Sequence, residues 1–251
     1  MGTVIAVASG KGGTGKTTAT AALSSCLAVL GYKTLAIDFD AELRNLDLSL
    51  AMSDFTVMDV MDVISGQLNI MDACTESPRI PNLYFLAAPT TCLPEDIDTT
   101  AVANMFDDIR KNFDYCLIDV PAGLGSGFKL AHSNVDMSII ISTGDVASLR
   151  DANITACKIR EMGVTNLRLI VNRVLPKNVR KIKTNIDDMV DTVGVQLLGI
   201  AVEDNNVFLA LNSHTPLVLY KKRVSAHDFL DAARRLTGRD YPLRQCKTSL
   251  L

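Results

Sequence analysis

The sequence predicts an α/β fold: a single domain built on a mostly parallel, twisted sheet with helices on both faces. Three observations predict it. Short apolar, β-branched runs alternate with longer segments of helical period. The first run leads directly into a glycine-rich stretch, SGKGGTGKTT at 9–18, which opens onto the first helical segment. The chain has 251 residues, 48% of them hydrophobic and 21% charged, enough to bury a substantial core, and no Pro/Gly/Ser-rich linker divides it.

Buried strands are expected at 3–8, 34–37, 83–87, 115–118, 136–142, 167–171 and 197–202, where β-branched and other apolar residues run together. Helical periodicity marks 15–30, 95–112, 147–162, 179–193, 205–212 and 225–237. Such alternation gives a mostly parallel sheet covered on both faces, with ligands at the carboxyl ends of the strands.

The formal charge of −3 speaks against a general polyanion binder and against specific nucleic-acid recognition. The local cluster Lys177, Arg180, Lys181 and Lys183 reads as a solvated helix face. Cys26, Cys74, Cys92, Cys116, Cys157 and Cys246 are widely spaced, with no C-x-x-C, which gives neither a zinc nor an iron–sulfur signature and suits reduced thiols in a cytosolic protein. The run at 3–8 lacks a basic flank and ends near a lysine, unlike a signal peptide. Gly2 is followed by Ala6 where myristoylation wants Ser or Thr, and no stretch of 18 residues is free of charge and turn signals.

Gly10, Gly15, Lys16 and Thr17 satisfy G-x-x-x-x-G-K-[ST] between a strand and a helix. In that setting the run Gly10, Lys11, Gly12, Gly13, Thr14, Gly15 turns successive backbone N–H groups and a helix N-terminus toward phosphate oxygens. Lys16 neutralises the phosphates, Thr17 offers its hydroxyl to Mg²⁺, and Thr18 adds a hydroxyl for the α-phosphate. Asp119 ends the hydrophobic strand Cys116-Leu117-Ile118 and is the expected metal-shell carboxylate. Asp38 and Asp40 end the second strand at the same sheet edge, two residues apart. One of the two can orient water while the other steadies the metal shell or Lys16. Lys11 stands apart, since one lysine suffices for the phosphates of one nucleotide.

The motif KGGTGKTT at 11–18 resembles the deviant Walker A motif of the MinD/ParA family of P-loop ATPases, and the resemblance, strongest to its MinD branch, covers nearly the whole chain. It implies a P-loop NTPase fold, binding of ATP and ADP with Mg²⁺, and an ATP-dependent homodimer in which Lys11 reaches the partner's phosphates. IDFDAELRNLDLSLAM at 37–52 is similar to the family's first switch region, making Asp40 the water-activating residue and Asp38 its neighbour on the metal side. DVPAGLGSG at 119–127 looks like the Walker B and second switch segment, and SLRDAN at 148–153 like a helix start used for dimerisation and for a MinE-like partner. IVNRV at 170–174 resembles the adenine-reading strand end, with Asn172 and Arg173 around the base. GIAVEDNNV at 199–207 corresponds to a segment usually written with Pro before Glu203 and Asp204, the expected base contacts; here Val202 takes that place.

On this resemblance the chain divides into an ATPase domain at 1–241 and a short C-terminal tail at 242–251. Family members end in an amphipathic membrane-targeting helix, whereas this sequence ends YPLRQCKTSLL. As a helix it would put Leu243, Cys246 and Leu250 on one face beside Arg244 and Lys247, in barely two turns. The implied protein is a cytoplasmic spatial regulator of division-site placement, with slow ATP hydrolysis until a MinC- or MinE-like regulator engages it. Its ATP form would sit peripherally on an anionic membrane surface at the inner face of the cell membrane. Two other readings share the core. Partition or flagellar-number ATPases act on DNA or on a protein surface, the DNA binders through patches such as Lys177 to Lys183 or Lys221 to Arg223. A nucleotide-binding scaffold with little hydrolysis is the third reading, and intact Lys11, Lys16, Thr17, Asp40 and Asp119 argue against it.

Overall fold

The structure is a computed structural model that describes residues 1–89, 97–175, 185–220 and 224–243. The start of the helix expected from 95, the basic residues Lys177 to Lys183 and Lys221 to Arg223, Cys92, and the tail from Arg244 onward lie outside the described residues.

One eight-stranded sheet organises the chain, comprising β1 (Thr3–Ala8), β2 (Thr34–Asp38), β3 (Thr75–Glu76), β4 (Leu83–Leu86), β5 (Tyr115–Asp119), β6 (Met137–Thr143), β7 (Leu167–Val174) and β8 (Gln196–Val202). The strand order is β3-β4-β2-β5-β1-β6-β7-β8. Every pairing between these strands is parallel except that of β3 with β4. The seven expected strands are all present, six of them within one residue of their expected ends, while β7 runs three residues past its expected end at 171. The two-residue β3 is new, too short to carry a periodic signal.

Alternation along β1 explains the two layers. Val4, Ala6 and Ala8 face one core, while Ile5 and Val7 face the other. The first core is closed by α5 (Thr99–Asn112) and α7 (Val146–Glu161), through residues such as Phe106 and Ile159. The second holds α1 (Lys16–Val29) and α10 (Val224–Leu236), with Leu23, Leu27 and Phe229 buried. Each such leucine contributes roughly 1.5–3 kcal/mol of burial, which outweighs the modest helix propensity of the Ser- and Thr-containing α1.

Between these lie short helices that the sequence did not announce: α2 (Leu46–Leu50), α3 (Val60–Ile64), α4 (Ile70–Ala73) and α6 (Ser126–Ala131). Caps rather than periodicity define two of them. Asp59 and Asp62 form a capping box on α3, and the Asn69 side chain accepts from two backbone N–H groups of α4. Asp98 caps α5 by accepting from Thr100 N, so α5 starts at Thr99. The expected segment 179–193 yields α8 (Ile186–Val193), opened by a capping box of Asn185 and Asp188, and 205–212 yields α9 (Asn205–Asn212). No helix among the described residues is long and apolar enough to cross a membrane. Cys26, Cys74, Cys116 and Cys157 are free thiols.

Candidate active site

The carboxyl ends of β1, β2 and β5 meet beneath the glycine loop. Asp38 and Asp119 are register partners across β2 and β5, so the parallel ladder itself brings the two carboxylates to one edge. Lys16, at the first position of α1, donates from Nζ to Asp119 Oδ1 at 2.8 Å. Thr17 Oγ1 donates to Asp119 Oδ2 at 2.6 Å. Thr20, one turn further along α1, donates to Asp119 Oδ1 at 3.1 Å; no motif singled it out, and only its i+4 spacing from Lys16 on the buried helix face would have marked it. The metal-shell expectation for Thr17 and Asp119 therefore finds the two side chains in contact.

Asp38 is engaged differently. Its Oδ1 accepts from Asp40 N at 2.8 Å and its Oδ2 from Leu46 N at 3.2 Å, folding the loop after β2 back over the strand end. Burial, then the neighbouring Asp119 charge, push its carboxyl up to about 7. Asp40 is buried beside it and accepts from Leu43 N at 3.1 Å.

The loop is shaped for close backbone approach. A Cβ on Gly10 would fall 2.4 Å from the Asp151 backbone of α7, and one on Gly15, at φ +87°, would fall 2.4 Å from Asn172 Nδ2. Asn172 donates to the Thr14 carbonyl at 2.8 Å, so this expected base-side residue also braces the loop. The Thr14 hydroxyl is buried and has no hydrogen-bond partner among the described residues.

Beside the loop opens a cleft of about 370 Å³ lined by Lys11, Gly12, Gly13, Thr14, Thr143, Asp145, Arg173, Leu175 and Glu203. Arg173 adopts φ 57° in the bulged end of β7 and donates to the Gly13 carbonyl at 3.0 Å and to Glu203 at 2.8 and 3.3 Å. Asp204 is turned away from this cleft: its carboxylate caps α9 through Asn206 N and takes Ser225 N and Oγ, both at 3.1 Å. Thr18 lines a separate crevice with Ser49 and Leu211. Thr143 and Asp145 were not foreseen. A Thr143 hydrogen bond, with help from Ser148 N and the Lys11 charge, holds Asp145 below the usual carboxylate range.

The two lysines of the loop occupy opposite settings. Lys16 is buried on Asp119, whereas Lys11 is exposed at the cleft with no ion pair among the described residues.

The family model described as an AAA domain matches residues 2–160. The septum site-determining protein MinD of Synechocystis is 36% identical over 244 residues, covering 96% of this chain and 92% of that protein. The MinC:MinD cell division protein complex of Aquifex aeolicus superposes with a TM-score of 0.89 at 35% identity, over 97% of this chain and 98% of that one. MinD of Pyrococcus horikoshii, solved with Mg-ADP, superposes with a TM-score of 0.81 at 28% identity, over 94% and 96% of the two chains. With the phosphate loop, the paired lysines and the strand-end carboxylates in place, the chain belongs to the MinD family of septum site-determining P-loop ATPases.

Proposed function

We propose that this ATPase works as an ATP-switched dimer that regulates where the division septum forms. The observation that carries the reading is the contrast between buried Lys16 and exposed, unpaired Lys11 on one loop. A lysine that served its own nucleotide would be held as Lys16 is. One that serves a partner's phosphates must project from the surface, as Lys11 does, in the manner of a finger supplied in trans.

The residues fit a nucleotide with magnesium. Gly12 and Gly13 have open space where a Cβ would stand, the buried Thr14 hydroxyl is without a partner, and Thr17 and Asp119 offer one hydroxyl and one carboxylate. Magnesium held mainly by phosphates needs no larger set of protein ligands. When bound, Mg²⁺ supplies positive charge to the β- and γ-phosphates. Lys16 holds the phosphate charge from the floor of the loop, and Thr17 and Asp119 hold the metal side, with Asp38 behind them. Asp40 orients the attacking water and takes its proton. Asn172, Arg173 and Glu203 bound the base end, and Asp204 fixes the segment that carries Glu203.

Turnover is slow in isolation, and contact with a MinE-like regulator speeds it. The Aquifex MinC:MinD complex supports a MinC-like partner for the same molecule. The α7 start, which presses Asp151 against Gly10, is where a partner's contact would be felt at the loop. The dimer associates weakly with anionic membrane through the tail. Light scattering tests the switch: the chain should double its mass with Mg-ATP and not with Mg-ADP. The same mass in both nucleotides would sink it.

A further inference from the structure

Glu203 carries the acidic half of the ion pair that bridges to the phosphate loop, and helix α10 grips the chain on both sides of it. On one side Val202 N donates to Asp228 Oδ2 at 3.1 Å. On the other, Asp204 Oδ2 accepts from Ser225 N and Oγ, both at 3.1 Å. Ser225 and Asp228 are three residues apart on α10, hence on one face of the helix. Between the two grips, Glu203 N donates to the Val174 carbonyl at 2.9 Å and its carboxylate receives Arg173, which reaches the Gly13 carbonyl.

Both grips hold the 199–207 segment, one at Val202 and one at Asp204, and both reach it from α10. A proline before Glu203 would fix its own φ and carry no N–H. Valine at 202 has a freer backbone and a donor that must find an acceptor near the sheet end. The Asp228 carboxylate meets both needs with a charge-assisted hydrogen bond.

We propose that Asp228 is a positioning residue for the base end of the nucleotide. Through Val202 it sets the direction in which Glu203 leaves β8, and so the placement of the Arg173–Glu203 pair against the base. This rests on the cleft being the nucleotide site. The phosphate-side residues Lys16, Thr17 and Asp119 lie on other elements, α1 and β5.

The test is steady-state hydrolysis of ATP and GTP by the full chain. Asp228→Ala should raise KM for ATP about five- to twentyfold with kcat within about twofold, and should narrow the preference for ATP over GTP. Asp228→Asn keeps an acceptor oxygen and should retain most of the affinity. In a Val202→Pro background the donor is gone, so Asp228→Ala should add less than about twofold. An unchanged KM and base preference in Asp228→Ala overturns the proposal, as does an equal effect of Asp228→Ala in both backgrounds. If Val202→Pro does not fold, the Asn and Ala variants decide alone: equal losses in both overturn it. Calorimetric titration of Mg-ATP into Lys16→Ala and Asp228→Ala separates the two readings. ATP binding retained in Lys16→Ala refutes the nucleotide site itself, whereas binding lost there and untouched in Asp228→Ala refutes only the role of Asp228.

Discussion

Lys16 Nζ stands 2.8 Å from Asp119 Oδ1, and the two side chains are only 9% and 1% exposed. Removing one partner of such a pair leaves the other charge buried and uncompensated, at a cost of about 3–5 kcal/mol. Lys16→Ala should therefore lose Mg-ATP binding and also melt at a lower temperature. Lys16→Ala with Asp119→Asn should recover part of the melting temperature, because the orphaned charge is gone, without recovering binding. Calorimetry of the three proteins checks this; a single variant as stable as the parent would mean that the pair is solvated in solution.

Asp40 and Asp119 should separate by phenotype. Asp119 touches Lys16, Thr17 and Thr20, whereas Asp40 bonds to its own loop through Leu43 N. Asp40→Ala should bind Mg-ATP within a few fold of the parent and lower kcat by about 10²-fold or more. Asp119→Ala should weaken Mg-ATP binding itself. Titration calorimetry with single-turnover hydrolysis distinguishes them, and equal binding losses in both would show that the roles are wrongly divided.

Lys11→Ala should keep the fold and ADP binding, since the side chain is exposed and forms no ion pair among the described residues. What it should lose is dimerisation with ATP. In an Asp40→Ala background, where hydrolysis is slowed, light scattering reads the dimer directly. Full dimerisation without Lys11 would remove its role in trans.

Asp38 predicts a pH dependence of stability. Burial first, then the Asp119 charge, raise its folded-state value to about 7, against the opposing pull of the Asp40 and Leu46 N–H groups and of Lys16. The unfolded carboxyl titrates near about 3.9. Between the two values the folded chain holds a proton that the unfolded chain has released, so raising the pH favours unfolding. The contribution is fully present below about pH 4, declines through the interval and is lost above about pH 7. Urea midpoints of the nucleotide-free parent should fall relative to Asp38→Asn across that interval. A constant difference between the two would show that Asp38 is ionised throughout.

The strands were legible because burial on both faces writes them as continuous apolar runs, and the loop because Gly10, Gly15, Lys16 and Thr17 sit at fixed offsets. Helices α2, α3, α4 and α6 were not legible, because segments of four to six residues complete too few turns to show a period. Thr143 and Asp145 reach the cleft only because β6 ends beside β1, a neighbour relation that no local pattern encodes. An Asp before an Asn-Asn helix start also reads as an N-cap, and Asp204 serves as one.

The chain stays tied to the last helix at Tyr241 and Pro242. Arg235 donates to the carbonyls of Tyr241 and Pro242 at 2.7 and 2.8 Å while holding Leu198 O at 2.8 Å, and Arg234 lies 4.7 Å over the Tyr241 ring. The chain as far as Pro242 is thus tied to α10 and β8, so an ATPase domain cut after residue 241 would sever a packed contact. A fair truncation ends at Leu243 and leaves this clamp intact. Beyond it, Leu250 and Leu251 offer about 1.5–3 kcal/mol each if fully buried in lipid, before ordering costs are subtracted. Arg244 and Lys247 add an attraction of about 1 kcal/mol each to an anionic surface. One such tail is too weak to hold a monomer, but two on one dimer gain avidity. Full-length protein should therefore pellet with anionic vesicles only in ATP, less so as salt rises, and the form ending at Leu243 should stay in solution while still dimerising. Equal pelleting of the two forms would place the membrane contact elsewhere on the dimer. No pelleting of either, with the ATP dimer intact, would make the organised surface a protein or DNA.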